Sequence, residues 1–217
     1  MRLPKLYDYV ASANCYKIRL LLAQLELPYE RVAIDIFDGD TLTDDYARLN
    51  PHRSTPVFEL ADWRTLIESN AILWYLASAT RFLPADPVAE AEVLRWLIHE
   101  QADVMPAIGG LRFRLVTGRF APDSPDAETR RRNAYEVLAM LDTHLASRSF
   151  LVGERYSIAD VAVFAYSHLA PEAGIDIAEY GHFRAWLDRV SEQDGFVDDL
   201  EPYPPNASVL AGKSIYG

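Results

Sequence analysis

The chain has 217 residues, half of them hydrophobic, which is enough for one large or two modest domains with cores of their own. Its 32 acidic and 21 basic side chains give a net charge of −11, which opposes binding to nucleic acid and to anionic membranes. The single cysteine, Cys15, excludes an intrachain disulfide framework, and the five histidines show no spacing with it that predicts a metal site.

The first residues, Met1-Arg2-Leu3-Pro4-Lys5, contain no apolar stretch of the kind found in secretion signals. No apolar run elsewhere approaches the length of a membrane span. Together with the lone cysteine, these features predict a cytoplasmic protein with no membrane partner.

Residues 1–80 alternate short strand patterns with helical patterns, which is typical of a sheet with helical crossovers. The predicted order is strand, helix, strand, helix, strand, strand, helix. These elements are Leu3 to Val10, a helix from Asn14 onward, Tyr29 to Ile36, Thr41 to Leu49, Pro56 to Leu60, Thr65 to Ile67 and Ser69 to Ala77.

Pro84 and Pro87 interrupt this pattern, because proline removes a backbone donor and disfavours helix in the residue before it. Helical periodicity dominates beyond them, and strand patterns are lacking. The predicted helices are Val88 to about Thr117, Pro125 to Leu145, Ser157 to Leu169 and Ile177 to Val190, with a proline-containing tail after Gly195. We therefore expect an α/β domain at 1–80, a linker at 81–87 and an all-helical domain with a C-terminal tail at 88–217.

The first candidate site is the strand-to-helix junction Ser12-Ala13-Asn14-Cys15. A helix N-terminus offers unpaired N–H groups and a partial positive charge to an anion. Ser12 adds a hydroxyl donor that can stabilise a thiolate, for which lowering the pKa by two units needs about 2.7 kcal/mol. Ser12 and Asn14 are also strong N-cap residues, so a structural cap is the alternative for each.

Cys15 is a rival nucleophile at this junction, because a helix N-terminus lowers the pKa of a thiol. The alternative is a small, buried and unreactive helix residue. The hydroxyl of Tyr9, just upstream, can also donate to a thiolate, although ordinary strand packing is the simpler interpretation.

The second candidate site is the turn-rich segment Asn50 to Thr55, which leads into a strand at Pro56. A proline at the head of a strand is compatible with a cis bond that exposes the Thr55 N–H and C=O to a peptide ligand. Proline at a strand start often has no such role.

The third candidate site is the junction Glu68-Ser69. Ser69 as an N-cap forms a receptor for a small carboxylate, and Glu68 can accept hydrogen bonds from an ammonium group. The pair suits the α-amino-acid end of a γ-glutamyl group. The alternative is a plain helix cap beside a solvated glutamate.

Together, these motifs resemble the glutathione transferase superfamily, and Ser12 to Arg19 is most similar to a bacterial branch of it. The similarity continues in the helical half at Phe150-Leu151-Val152-Gly153 and at a predicted capping box, Ser157 to Asp160. It implies the glutathione transferase fold, with an N-terminal thioredoxin-like α/β domain and an all-α C-terminal domain. It also implies a homodimer.

The resemblance gives thiol activation to Ser12, with Asn14 or Cys15 as the alternative catalytic residues. The glutathione-binding residues that it implies are Tyr9, Arg53, Ser54, Thr55, Pro56, Glu68 and Ser69.

Two positions depart from the family pattern. Arg53 stands where the family usually has glycine, and Thr55 where it usually has an aliphatic residue. Arg53 either strains its loop or supplies a cation for the glycyl carboxylate of glutathione. A degenerate site that no longer binds the tripeptide is the opposite possibility.

The resemblance also places an acceptor pocket between the two domains, although an apolar helix stripe more often belongs to a core. The residues expected on its helical wall are Trp96, Glu100, Met105 and Arg112. The implied function is that of a glutathione transferase, which activates the glutathione thiol for attack on a small hydrophobic electrophile without a metal. The alternatives are glutathione-dependent disulfide reduction or isomerisation, and a noncatalytic protein-interaction module like those of translation factors.

Overall fold

The computed structural model describes residues 2–215, which separate into two compact units. The first unit contains the chain up to Leu76 and the tail from Val197, and the second contains Ala77–Phe196. The predicted domain limits also include Met1, Tyr216 and Gly217, which lie outside the described residues. No helix in the described part is long and apolar enough to cross a membrane.

The first unit contains strands and helices in the predicted order. Its elements are β1 (Lys5–Asp8), α1 (Ala13–Gln24), β2 (Glu30–Ala33), a 3-10 turn (Asp40–Leu42), α2 (Asp44–Leu49), β3 (Val57–Glu59), β4 (Thr65–Ile67), α3 (Ser69–Ala77) and, in the tail, a 3-10 turn (Pro205–Ala207).

The strands form one mixed sheet in the order β2-β1-β3-β4. β1 is parallel to β2, which is why a crossover helix connects them, whereas β3 is antiparallel to β1 and β4. Val57 at the start of β3 lies opposite both Tyr7, near the end of β1, and Ile67, at the end of β4. The loops before α1, β3 and α3 therefore meet at one edge of the sheet.

Three strands are shorter than the sequence predicts, and β3 lacks only Pro56 and Leu60 at its ends. β1 and β2 end at Asp8 and Ala33, yet the side chains of Tyr9 and Ile36 beyond them are buried. The apolar pattern reports burial, whereas the strand limits depend on where the backbone ladder ends. The predicted bounds of β4 and α3 are confirmed.

The second unit is helical, as predicted. Its elements are α4 (Pro87–His99), a π-helical segment (Glu100–Gly109), α5 (Gly110–Val116), α6 (Pro125–Leu145), α7 (Ile158–Ser167), a 3-10 turn (Pro171–Ala173) and α8 (Gly181–Ser191).

The π-helical segment interrupts the single helix predicted from Val88 to Thr117. Pro106 lies inside it, and a proline removes the helical donor and collides with the preceding turn, which accounts for the wider winding. At its end, a side chain at Gly109 would lie 2.2 Å from the ring of Tyr166, so the glycine permits close packing against α7.

The capping box predicted at Ser157 and Asp160 is confirmed. The Ser157 hydroxyl oxygen accepts from the N–H of Ala159 at 3.3 Å, and the Asp160 carboxylate accepts from the N–H of Ser157 at 3.0 Å. The other carboxylate oxygen accepts from the N–H of Leu151 and the indole of Trp186, each at 2.9 Å. Asp160 thus ties the start of α7 to two other segments of the unit.

The division into units differs from the predicted domains at both ends. The boundary follows Leu76, so the expected linker 81–87 belongs to the second unit, where Asp86 caps α4 and Pro87 begins it. The tail from Val197 belongs to the first unit, whereas we predicted it as part of the helical domain.

Arg19 explains why the tail packs on the first unit. Its Nε lies 2.9 Å from both carboxylate oxygens of Asp199, and its Nη1 donates to the buried Asp8 at 2.6 Å. The Tyr16 hydroxyl also donates to the Val197 carbonyl at 2.8 Å. Such long-range pairs leave no trace in local sequence periodicity.

Candidate functional site

Ser12 caps α1 from the loop that follows β1. Its backbone is extended, with φ −85°, and its hydroxyl oxygen accepts from the N–H of Cys15 at 3.3 Å. A hydroxyl has two acceptor lone pairs and one proton, so the cap uses an acceptor, and the O–H, which also hydrogen-bonds to the Cys15 thiol, remains a donor. The structural and functional interpretations of Ser12 are therefore compatible.

Cys15 lies in the core of the first unit, with no exposed surface. The N–H of Tyr9 donates to its sulfur at 3.4 Å. Burial, followed by the nearby charge of Asp8, raises the pKa of the Cys15 thiol to about 12. This geometry opposes Cys15 as the catalytic residue and favours the alternative of a buried, unreactive helix residue.

Tyr9 is buried as well, and its ring packs edge-on against Phe37 with centroids 5.9 Å apart. Burial, with the charge of Asp35, raises the pKa of the Tyr9 hydroxyl. Among the described residues, that hydroxyl has no hydrogen-bond partner. Tyr9 therefore contributes core packing and one buried donor.

The bond between Thr55 and Pro56 is cis, the conformation with which a proline at the head of this strand is compatible. The preceding residue, Ser54, is held by Asn50, whose amide donates to its carbonyl at 2.8 Å, and by the Tyr46 hydroxyl at 2.9 Å. The Thr55 side chain hydrogen-bonds to the Cys15 thiol, an interaction that opposes the rise in the thiol pKa. The loop before β3 therefore contacts the first turn of α1.

Arg53 has a positive φ of 55°, so it occupies the left-handed conformation that the glycine of the family pattern would favour. Its guanidinium donates to the carbonyls of Thr41 and Thr43, each at 3.1 Å. It also lies 3.8 Å from the exposed carboxylate of Asp44. The side chain thus fastens its loop to the segment before α2.

Glu68 also has a positive φ, 69°, a feature that sequence reasoning missed because nothing marks a glutamate for this conformation. It turns the chain between β4 and α3. The Glu68 side chain remains exposed, whereas Ser69, the first residue of α3, is buried.

The starts of α1 and α3 are joined by a polar cluster of Asn14, Lys17, Ser69 and Asn70. The Ser69 hydroxyl donates to Asn14 Oδ1 at 3.0 Å. The ammonium of Lys17 donates to Asn14 Oδ1 at 3.0 Å, to Ser69 Oγ at 3.3 Å and to Asn70 Oδ1 at 3.2 Å. The two helix N-termini therefore meet, which gives two sets of N–H donors and one cation at the same place.

Lys17 and Asn70 were missed in the sequence analysis. The available signal was the spacing of Lys17, three residues after Asn14 and hence on the same side of α1. A charged residue between the buried Tyr16 and Ile18 is a second mark of a specific role.

The four residues expected on the acceptor wall all lie in the second unit, and three of them are buried. Trp96 has no exposed surface, and its indole donates to the carbonyl of Leu151 at 3.1 Å. Arg112 forms an ion pair with Glu172, in which Nε lies 2.7 Å from Oε2. Glu100 is also buried, and Met105 is partly exposed. Within this unit, Trp96 is therefore a core residue and Arg112 is held by an ion pair.

No metal centre is found in residues 2–215, where His, Cys, Asp and Glu side chains form no group of three or more that could hold an ion. The site instead consists of hydroxyl, amide, ammonium and backbone donors. Such donors suit an anionic organic ligand.

Two family models match the sequence. The model of the glutathione S-transferase N-terminal domain matches residues 11–79, and that of the C-terminal domain matches residues 104–194.

A solved structure of a glutathione S-transferase from Pseudomonas fluorescens is 40% identical, with a TM-score of 0.88, and the match covers 92% of this chain and 100% of that one. A second, described as a possible glutathione S-transferase from Rhodopseudomonas palustris, is 35% identical with a TM-score of 0.86, over 93% and 100%.

Some curated relatives carry other names. A disulfide-bond oxidoreductase of Escherichia coli is 28% identical over 84% of this chain and 87% of the relative. Elongation factor 1-gamma of Artemia salina is 30% identical over 78% of this chain but only 40% of its own length.

Proposed function

Since the chain belongs to the glutathione S-transferase family, we propose that it binds glutathione and activates its thiol for attack on a small hydrophobic electrophile. The observation that carries this proposal is the hydrogen bond between Ser69 and Asn14, which joins the starts of α3 and α1. Together with the Thr55 loop at the same edge of the sheet, these two helix starts offer donors for the γ-glutamyl end, the cysteinyl backbone and the sulfur of the tripeptide.

The γ-glutamyl end belongs at the start of α3. The first N–H groups of a helix have no intrahelical partner and favour a carboxylate, and the exposed Glu68 can accept from the ammonium group. The cysteinyl backbone belongs beside Thr55, whose N–H and C=O can pair with it as a short added strand. Arg53 and Ser54 hold that loop in place through their hydrogen bonds to neighbouring segments.

The sulfur belongs in front of Ser12. The Ser12 hydroxyl proton, which the cap does not use, can turn from the Cys15 thiol to donate to the thiolate of glutathione, together with the N–H groups at the start of α1. Asn14 is bound to Lys17 and Ser69, so it is not assigned to the sulfur. These donors lower the pKa of the bound thiol, so the thiolate is present at neutral pH and attacks the electrophilic carbon of the acceptor. No protein thiol takes part, because Cys15 is buried.

The remaining parts of the proposal come from the family. We propose a cytoplasmic homodimer, and an acceptor pocket to which the partly exposed Met105 contributes. Trp96, Glu100 and Arg112, which the resemblance also placed there, are buried and are not assigned to acceptor contacts. Light scattering on the purified protein tests the dimer. Acceptor kinetics of Met105→Ala test the pocket, since Met105 is the partly exposed member of the set.

Glutathione-dependent disulfide reduction is a second candidate, favoured by the similarity to the Escherichia coli disulfide-bond oxidoreductase. Such a reaction would use the same thiolate, which attacks one sulfur of the substrate disulfide and expels the other as a thiolate. A second glutathione then releases the substrate thiol from the mixed disulfide and leaves with the first as oxidised glutathione.

Retention on immobilised glutathione, followed by assays with a chlorodinitrobenzene and with a small disulfide, tests these proposals. Retention with conjugation is the expected result. Retention with disulfide reduction alone would favour the second candidate. Absence of retention and of both activities would overturn the proposed function and favour the interaction module, as the similarity to elongation factor 1-gamma suggests.

A further inference from the structure

Lys17, in α1, is a fully buried lysine that lies directly beside the proposed glutathione site. Burying an ammonium group is costly unless its protons are accepted. Three of its acceptors are side-chain oxygens of Asn14, Ser69 and Asn70, which belong to the two helix starts of the proposed site.

An ammonium group can only donate hydrogen bonds. Asn14 and Asn70 must therefore turn their Oδ1 atoms toward Lys17, which places their Nδ2 donors on the opposite branch of each amide. A flipped amide would set donor against donor. Asn14 Oδ1 accepts a second proton, from Ser69, which fixes its orientation further.

The consequence is a set of oriented donors around the start of α3. Ser69 uses its hydroxyl within the cluster, so the ligand meets the backbone N–H groups of the first helical turn, and the Asn14 Nδ2 group is the amide donor that these bonds do not use. The buried cation adds positive charge behind them. Donors and charge of this kind recognise a carboxylate better than any neutral group.

We propose that Lys17 is a positioning residue that makes the glutathione site selective for the α-carboxylate of the γ-glutamyl group. This inference rests on the proposed function. It adds that carboxylate recognition depends on a residue behind the site, which holds Asn14, Ser69 and Asn70 in their binding orientation.

The test compares the affinities of the full chain for two ligands, glutathione and an analogue in which the γ-glutamyl α-carboxylate is replaced by hydrogen. Calorimetric titration is carried out on the wild type and on Lys17→Met, which fills similar space without donors or charge. The wild type is expected to prefer glutathione by at least about tenfold, as hydrogen bonds to a charged group allow. Lys17→Met is expected to lose that preference while its affinity for the analogue stays within about twofold.

A second variant, Asn14→Asp, keeps an acceptor for Lys17 and replaces the amide donor with a carboxylate oxygen. This variant is also expected to lose the preference for glutathione over the analogue. It tests the proposal even if Lys17→Met does not fold. Equal weakening of both ligands in either folded variant, or an unchanged preference, would overturn the role of Lys17. A wild type that binds neither ligand would instead overturn the proposed function, and the inference with it.

Discussion

The backbone N–H of Cys15 donates to the hydroxyl oxygen of Ser12 over 3.3 Å, so the residue proposed to activate the thiol also caps the helix behind it. A Ser12→Ala substitution therefore removes the helix cap and the proposed thiolate donor at the same time. Loss of an N-cap hydroxyl costs about 1 kcal/mol with alanine but only a few tenths with glycine. A comparison of the two substitutions separates the roles.

We expect Ser12→Ala and Ser12→Gly to lower kcat/KM for conjugation to a similar extent, by about tenfold to a hundredfold, because both remove the donor to the thiolate. The inflection of the pH–rate profile should move to higher pH, since the bound thiol loses stabilisation of its charged form. Only Ser12→Ala should lower the free energy of unfolding noticeably. A glycine variant with full activity would remove Ser12 from the chemistry.

Cys15 is expected to be chemically silent in the folded protein. Burial raises the pKa of its thiol to about 12, so almost no thiolate exists at neutral pH. Alkylation by iodoacetamide at pH 8 should be at least about a hundredfold slower in the native protein than in urea. Cys15→Ala should leave conjugation within about twofold of the wild type, and rapid native alkylation would contradict this view of the site.

The convergence of the three site segments follows from features that the sequence displays. Ser12, Pro56 and Ser69 each adjoin a predicted strand, and the order of strands and helices brings these ends to one edge of the sheet. Local patterns were sufficient there because each motif is a strand end followed or preceded by a turn.

The features that were not predicted depend on contacts between distant residues. Arg19 binds Asp199 across 180 positions and holds the tail on the first unit, and no periodicity encodes that pairing. The cluster around Lys17 likewise depends on Ser69, 52 positions later. The positive φ of Glu68 has no residue signal at all, since glutamate rarely adopts it.

Arg53 has two opposing effects on stability: its left-handed backbone destabilises the fold, and its side-chain hydrogen bonds to the neighbouring loop stabilise it. Its left-handed backbone costs about 1 kcal/mol relative to glycine, while its guanidinium donates to the carbonyls of Thr41 and Thr43. Arg53→Ala should lose the contacts and keep the strain, whereas Arg53→Gly should lose both. Urea unfolding should therefore find the glycine variant more stable than the alanine variant by about 1 kcal/mol. Equal stabilities would mean that position 53 is not strained.

Asp160 should make the stability of the helical unit depend on pH. Burial outweighs the donors of Leu151, Trp186 and Ser157 and raises the pKa of the Asp160 carboxyl from 3.8 to about 6. The folded state therefore holds this proton more tightly than the unfolded state does. The resulting stabilisation is fully present below about pH 4 and is lost as the pH rises through about 6, by about 3 kcal/mol in total.

The matched control is Asp160→Asn, which has similar shape but does not titrate. Both carboxylate oxygens accept from donors, so the amide NH2 must face one of them, and the variant should be less stable by about 1 to 3 kcal/mol or more. Urea unfolding of the two proteins at a series of pH values isolates the titration, because other carboxylates contribute to both. We expect the difference in free energy of unfolding between the wild type and Asp160→Asn to shrink between about pH 4 and about pH 6. A difference that grows over this interval would mean that the donors outweigh burial and hold the pKa of Asp160 below its unfolded value.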